Sequence, residues 1–163
     1  MALLCFLVAI LIKFIDLSNA MPENMEDNAI AKANSLMHDY PEFIDLPTLE
    51  ISLFQDLRET IDDDLIFSDL VTIYLSSAEN LIDEIQAAFT NQDANKFAIA
   101  AHSLKLTSAS IGATRLSQIS KYLEKVGKTG EITGSTDILN LLNNEYTEII
   151  KAIQTLILEF MAQ

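Results

Sequence analysis

Apolar residues recur at three- and four-residue intervals through most of the chain beyond residue 47, and that spacing predicts amphipathic helices. Leu49, Leu53, Leu57 and Ile61 repeat every four residues. A short helix is therefore expected over residues 47–60, with Pro47 at its first position, where the missing N–H costs nothing. Four longer segments follow. Phe67, Leu70, Tyr74, Ala78, Leu81, Ile85 and Ala88 form the seam of the first, and Phe97, Ala101, Leu104, Ser108 and Ile111 that of the second. The third carries Leu116, Ile119, Leu123 and Val126; the fourth carries Leu139, Leu142, Tyr146, Ile149, Ile153, Leu156 and Phe160. Asp62 to Asp64, Asp93, and Ser135 or Thr136 stand where N-caps are needed. Connections of ~4–8 residues make neighbouring helices antiparallel. The pattern implies an all-α fold: an antiparallel up-down four-helix bundle with a short extra N-terminal helix across one end.

The first 20 residues, MALLCFLVAILIKFIDLSNA, break with this pattern. Their apolar run is shorter than the ~18–20 residues of a spanning helix. Ser18-Asn19-Ala20 looks like a small-residue cleavage site, yet no Lys or Arg precedes the run. A signal, a membrane anchor and a mis-assigned start before Met21 all stay open, and the last is slightly favoured. Residues 21–44 are polar and carry Pro22 and Pro41, which reads as a linker with one short helix around residues 25–38. The bundle is expected over residues 45–163.

Composition narrows the chemistry. The chain has 163 residues, one domain's worth, with one cysteine (Cys5) and two histidines (His38 and His102). That set cannot build a Cys/His metal cage or a redox pair. None of the four glycines opens a phosphate-cradling loop, which argues against a nucleotide-driven enzyme. A formal net charge of −14 is a poor match for nucleic acid or an anionic membrane. The charge is unevenly spread. Asp39 to Asp93 holds fourteen acids and one base, Arg58, whereas Lys96 to Lys128 holds six bases and one acid, Glu124. The basic stretch is either a solvated face or a site for a small anion or an acidic partner.

On a helical wheel of the second bundle helix, His102 lands about 140° from the middle of the seam. It is thus expected to be exposed in mid-helix, with Lys105 one turn along. Ala98 and Ala109 lie one above and one below it, and Ile99 and Leu106 lie alongside. An exposed histidine commonly has no role. Here Lys105 would oppose protonation of the ring but could pair with an anion bound to it. Ile99 and Leu106, apolar yet facing away from the seam, suggest a docking surface.

Residues 102–113, HSLKLTSASIGA, resemble the signature of histidine-containing phosphotransfer (Hpt) domains, approximately H-S-L-K-G-S-S-A-x-[LIV]-G-A. The flanks agree in Ala100-Ala101, Asp93, Leu123-Glu124 and Gly130. The resemblance spans about residues 45–162. It implies a stoichiometric phosphohistidine carrier rather than an enzyme with turnover of its own. His102 would accept a phosphoryl group from, or pass it to, an aspartate of a receiver domain, with Lys105 beside the phosphoryl oxygens. Receiver domains of hybrid histidine kinases and response regulators would dock on Ala98, Ile99, Leu106 and Ala109. Gly112 would be structural, at a helix end where a left-handed conformation favours glycine. The family's catalytic metal and acids belong to the receiver, so no metal or cofactor is expected on this chain. A cytoplasmic monomer without nucleic-acid contact is expected, with membrane contact only if residues 1–20 are retained. One departure stands out: the family's glycine four residues after the histidine is Leu106 here, and Thr107 replaces a serine. That departure keeps an alternative open, an adaptor that binds receivers without carrying a phosphoryl group.

Overall fold

The computed structural model describes residues 31–32 and 35–162, so the apolar leader and the first part of the expected linker lie outside the described residues. Five helices carry the fold: α1 (Ile51–Ile61), α2 (Asp64–Thr90), α3 (Ala94–Ile111), α4 (Thr114–Thr129) and α5 (Thr136–Ala162). A 3-10 turn at Pro41–Phe43 precedes them, and residues 35–39 are also helical. No strand occurs among the described residues.

The helix boundaries follow from local chemistry. The Asp63 carboxylate accepts from the N–H groups of Leu65 and Ile66 at 2.9 and 3.0 Å, which satisfies two of the orphan donors that open α2. Asp62 instead closes α1 in the left-handed region, φ 49°. Asp93 accepts from the Lys96 N–H and caps α3. Gly112 ends α3 at φ 87°, and its N–H reaches back to the carbonyls of Ser108 and Ala109. A side chain there would be strained by the backbone angle and would also crowd the Glu50 carbonyl.

The four seams converge on one core. Phe67, Tyr74, Ala78, Ile85, Phe97, Ala101, Leu104, Leu116, Leu123, Leu142, Ile149 and Ile153 are all buried. Leu70 departs from its expected place: it is over one-third exposed, while Val71 and Leu75 fill the core instead. The buried arc of α2 is therefore rotated slightly from the seam read by four-residue steps. By length and composition α2 could cross a membrane; in the bundle one face of it, from Phe67 to Ala88, is buried in the core, while Leu65, Ile66, Leu70 and Ile73 are exposed. Two hydroxyls join the interior. Tyr74 Oη lies 3.1 Å from Ser108 Oγ, and Tyr146 Oη donates to the Leu75 carbonyl at 2.9 Å.

Helices α3 and α4 pack antiparallel, since the residues that meet run in opposite order. Ala98 lies against Gly127, His102 against Glu124, and the Lys105 carbonyl accepts from Ser117 Oγ.

Two expectations about the N-terminal side need correction. Helix α1 begins at Ile51, not Pro47, because the backbone of residues 47–50 is used elsewhere. The Pro47 carbonyl accepts from the Arg115 N–H, and the Glu50 N–H donates to the Gly112 carbonyl at 2.7 Å. The segment expected to be linker up to residue 44 also packs on the bundle at its C-terminal end. Leu36 and Phe43 are buried, and Tyr40 meets Tyr122 edge-on at 5.5 Å between centroids. Arg115 fastens this segment. Its guanidinium donates to the Phe43 and Leu46 carbonyls, to Thr48 Oγ1 and to Glu145 Oε2. The Glu145 side chain is almost fully buried, and that burial pushes its carboxyl above the ordinary range against the opposing pull of Arg115.

Candidate functional site

The site begins with a close approach of two helices. A Cβ built on Gly127 would lie 2.8 Å from Ala98 Cβ and 2.9 Å from the Ala98 nitrogen. Only hydrogen fits there, so α3 and α4 pack against each other too closely for a side chain at this position. His102 stands one turn further along α3 than Ala98, and Glu124 almost one turn before Gly127. The small-residue contact therefore sets the distance between the two functional side chains.

His102 Nδ1 lies 3.0 Å from Glu124 Oε1. The imidazole remains half exposed at 50%, whereas the Glu124 side chain is only 6% exposed. Two ammonium groups hold the same carboxylate: Lys105 Nζ at 2.6 Å from Oε2 and Lys128 Nζ at 2.6 Å from Oε1. Hydrogen bonds from Lys105 and then Lys128 pull the Glu124 carboxyl down to about 2, with desolvation opposing them and the His102 contact adding to them. An ionised carboxylate can only accept hydrogen bonds. The proton between His102 and Glu124 therefore sits on Nδ1, and in the neutral ring the lone pair is then on Nε2. Lys105 Nζ is also 3.4 Å from Nδ1, a neighbouring charge rather than a donor to a nitrogen that already carries its proton.

The structure brings together some of the residues singled out in the sequence and separates others. His102 and Lys105 share one cluster. Ile99 and Leu106 project into solvent at 59% and 54% exposure, and Ala109 is exposed beside them. Ala98 does not join that surface: it is buried against Gly127, so its expected docking role is withdrawn in favour of a helix–helix contact. Arg115 leaves the basic face as well, because its guanidinium is committed to the N-terminal segment and Glu145. Glu124 was not foreseen as a site residue, although it is the one acid within a run of six bases and has a lysine four residues on. Those two signals mark a paired acid. They do not say that the acid turns toward a histidine on another helix. Among the described residues, no group of three or more His, Cys, Asp or Glu could hold a metal ion.

The half-exposed histidine, paired with a buried carboxylate and flanked by lysine, stands on the outside of a helical bundle. The sequence profile of the Hpt domain matches residues 69–152, and the chain belongs to that family, the histidine phosphotransfer domains of phosphorelays that work with receiver domains and kinases. Two solved structures share the fold. Histidine-containing phosphotransfer protein B from Pseudomonas aeruginosa PAO1 superposes with a TM-score of 0.61 at 23% identity, over 67% of this chain and 96% of its own. A rice protein classed as a histidine-containing phosphotransfer protein gives 0.62 at 21%, over 87% of this chain and 100% of its own. No curated protein sequence matches the chain.

Proposed function

We propose that His102 is the phosphoryl carrier of this chain and that Nε2 is the atom that receives the group. The observation behind this is the pairing of Nδ1 with buried Glu124, which leaves one nucleophilic nitrogen on a half-exposed ring. In the forward step the Nε2 lone pair attacks the phosphorus of a receiver's aspartyl phosphate. The Nε2–P bond forms, the P–O bond breaks, and the aspartate leaves as a carboxylate. The Nδ1 proton stays in place, so the phospho-imidazole is positively charged at the nitrogen that faces Glu124. That carboxylate stabilises the product more than the neutral ring, and Lys105 supplies positive charge for the phosphoryl oxygens. The reverse step returns the group to a second receiver. The chain is thus a stoichiometric carrier, and the exposed Ile99, Leu106 and Ala109 provide the apolar contact for the receiver.

The other reading, an adaptor that docks receivers without transfer, draws on Leu106, whose exposed side chain replaces a glycine beside the histidine. One experiment separates the two. Incubation with a phosphorylated receiver should label the protein with an acid-labile, base-stable phosphoryl group, and His102→Gln should abolish the label while the bundle stays folded, with its helical signal unchanged. Binding without label on the parent supports the adaptor. Label that persists on the variant, on His38 for example, defeats the assignment of His102.

A further inference from the structure

Glu124 has two ammonium partners where one would neutralise it, and the two are placed differently. Lys105 grows from the same helix as His102, one turn along, is 23% exposed and holds Oε2. Lys128 grows from the helix of Glu124 itself, reaches in from solvent at 67% exposure and holds Oε1, the oxygen that His102 Nδ1 also uses. Resting on the assignment of His102 as the carrier, we infer that Lys128 is a standby counter-ion: it keeps Glu124 paired when Lys105 turns from the carboxylate to the phosphoryl group.

The argument is one of geometry and charge. Nε2 is on the edge of the ring away from Nδ1, so a phosphoryl group there lies farther from Glu124 than Lys105 Nζ does now. In the proposed exchange Lys105 leaves Oε2 to meet it. A buried carboxylate abandoned by its cation is strongly disfavoured, and on its own that penalty would hold Lys105 back. Lys128 removes the penalty because it is already bonded, through a long stem with its head near water. Before transfer, Glu124, the two ammonium groups and the neutral ring carry one net positive charge, which suits an approaching anion. After transfer, the phosphoryl dianion, the positively charged ring, the two lysines and Glu124 cancel.

The test uses the full chain and phosphoramidate, a small donor whose N–P bond breaks as ammonia leaves and Nε2 takes the phosphoryl group. Phosphorylation of His102 is followed by ³¹P NMR. Lys128→Ala should slow it roughly tenfold, the weight of one charge-assisted hydrogen bond, and Lys128→Arg should restore it to within about twofold because the charge and reach are kept. The decisive comparison is made in a Lys105→Ala background. There Lys128→Ala should have no further effect on the phosphorylation rate, since no lysine remains to be released. It should nevertheless lower thermal stability more than in the parent, since Glu124 then loses its last ammonium. Equal slowing in both backgrounds, or a parent-like rate for Lys128→Ala, overturns the standby role. A parent protein that takes no label on His102 fails earlier, and refutes the carrier assignment instead.

Discussion

One methyl group added at Gly127 should pull His102 and Glu124 apart. The new Cβ would lie 2.8 Å from Ala98 Cβ, 2.9 Å from its nitrogen and 3.0 Å from its Cα. Carbon atoms settle at about 3.5–4.0 Å, and two of these three contacts are backbone, which cannot rotate away. Helices α3 and α4 must therefore separate by roughly 0.7 Å at this level. The 3.0 Å contact between His102 Nδ1 and Glu124 Oε1 is one turn away and would stretch to about 3.7 Å, beyond hydrogen-bonding range. The lysine contacts should survive, because their flexible stems can follow the carboxylate. Alanine in a helix interior gains about 1 kcal/mol over glycine, while overpacking costs about 1–3 kcal/mol. A net loss near 1 kcal/mol is expected, or a fall of about 3 °C in Tm. Ring ¹⁵N NMR of His102 at neutral pH should show the Nδ1 proton delocalising between tautomers. Gly134→Ala, where an added Cβ meets nothing within 4 Å, serves as the control and should change neither reading. A Gly127→Ala protein that melts higher than the parent, with its Nδ1 resonance unmoved, would refute the claim that this contact sets the site.

Three further outcomes follow from named residues. The Glu124 carboxyl is held at about 2, below its ordinary value of 4.5, by Lys105 and Lys128; a depressed carboxyl contributes stability that is present above pH 4.5 and lost as pH falls toward 2. Acid titration of Tm should therefore show a fall across that window that is smaller in Glu124→Gln, and identical profiles for the two proteins would count against the pairing. Leu106→Gly should broaden the set of receivers that transfer to His102 at a stability cost near ~1 kcal/mol, and a panel that is unchanged or uniformly slower would mean that Leu106 does not select the partner. A chain beginning at Met21 should melt at the parent temperature, since the four apolar seams lie within residues 67–160; a lower transition would place residues 1–20 on the bundle.

The bundle was legible in the sequence because its signals are periodic and local. The seams of α3 and α5, the Asp93 cap and the left-handed Gly112 need only neighbours along the chain to be recognised. The short helix α1 was read four residues early for the opposite reason. Pro47 suits a helix start, but its carbonyl and the Glu50 N–H are claimed by Arg115 and Gly112 from the turn between α3 and α4, partners more than sixty residues away. The same limit applies at the site. His102 and Lys105 are one turn apart on one helix and could be paired by spacing alone. Glu124, Lys128 and the contact of Ala98 with Gly127 belong to another helix's register, and a wheel drawn for α3 cannot contain it. Ala98 was consequently assigned to solvent, when its angle from the seam was the angle at which α4 arrives.

That register is fixed at both ends of the helix pair, which explains how a half-exposed histidine can be held in a defined orientation. At one end, the Pro47 carbonyl and the Glu50 N–H bond to Arg115 and Gly112 across the α3–α4 turn, and the Arg115 guanidinium binds residues 43–48 over it. At the other end, the backbones of Ala98 and Gly127 are in close contact. His102 and Glu124 lie between these two fixings, so neither helix can slide without breaking a hydrogen-bonded turn or a backbone contact. The carboxylate supplies a tautomer and a counter-charge, and the two fixings supply its position to within the fraction of an ångström that a functional hydrogen bond requires. The opposite edge of the ring has no such enclosure. The ring is half exposed, so in the proposed role a partner completes the surroundings of Nε2, and the division would follow the chemistry: the proton on Nδ1 stays with Glu124, and the group on Nε2 leaves.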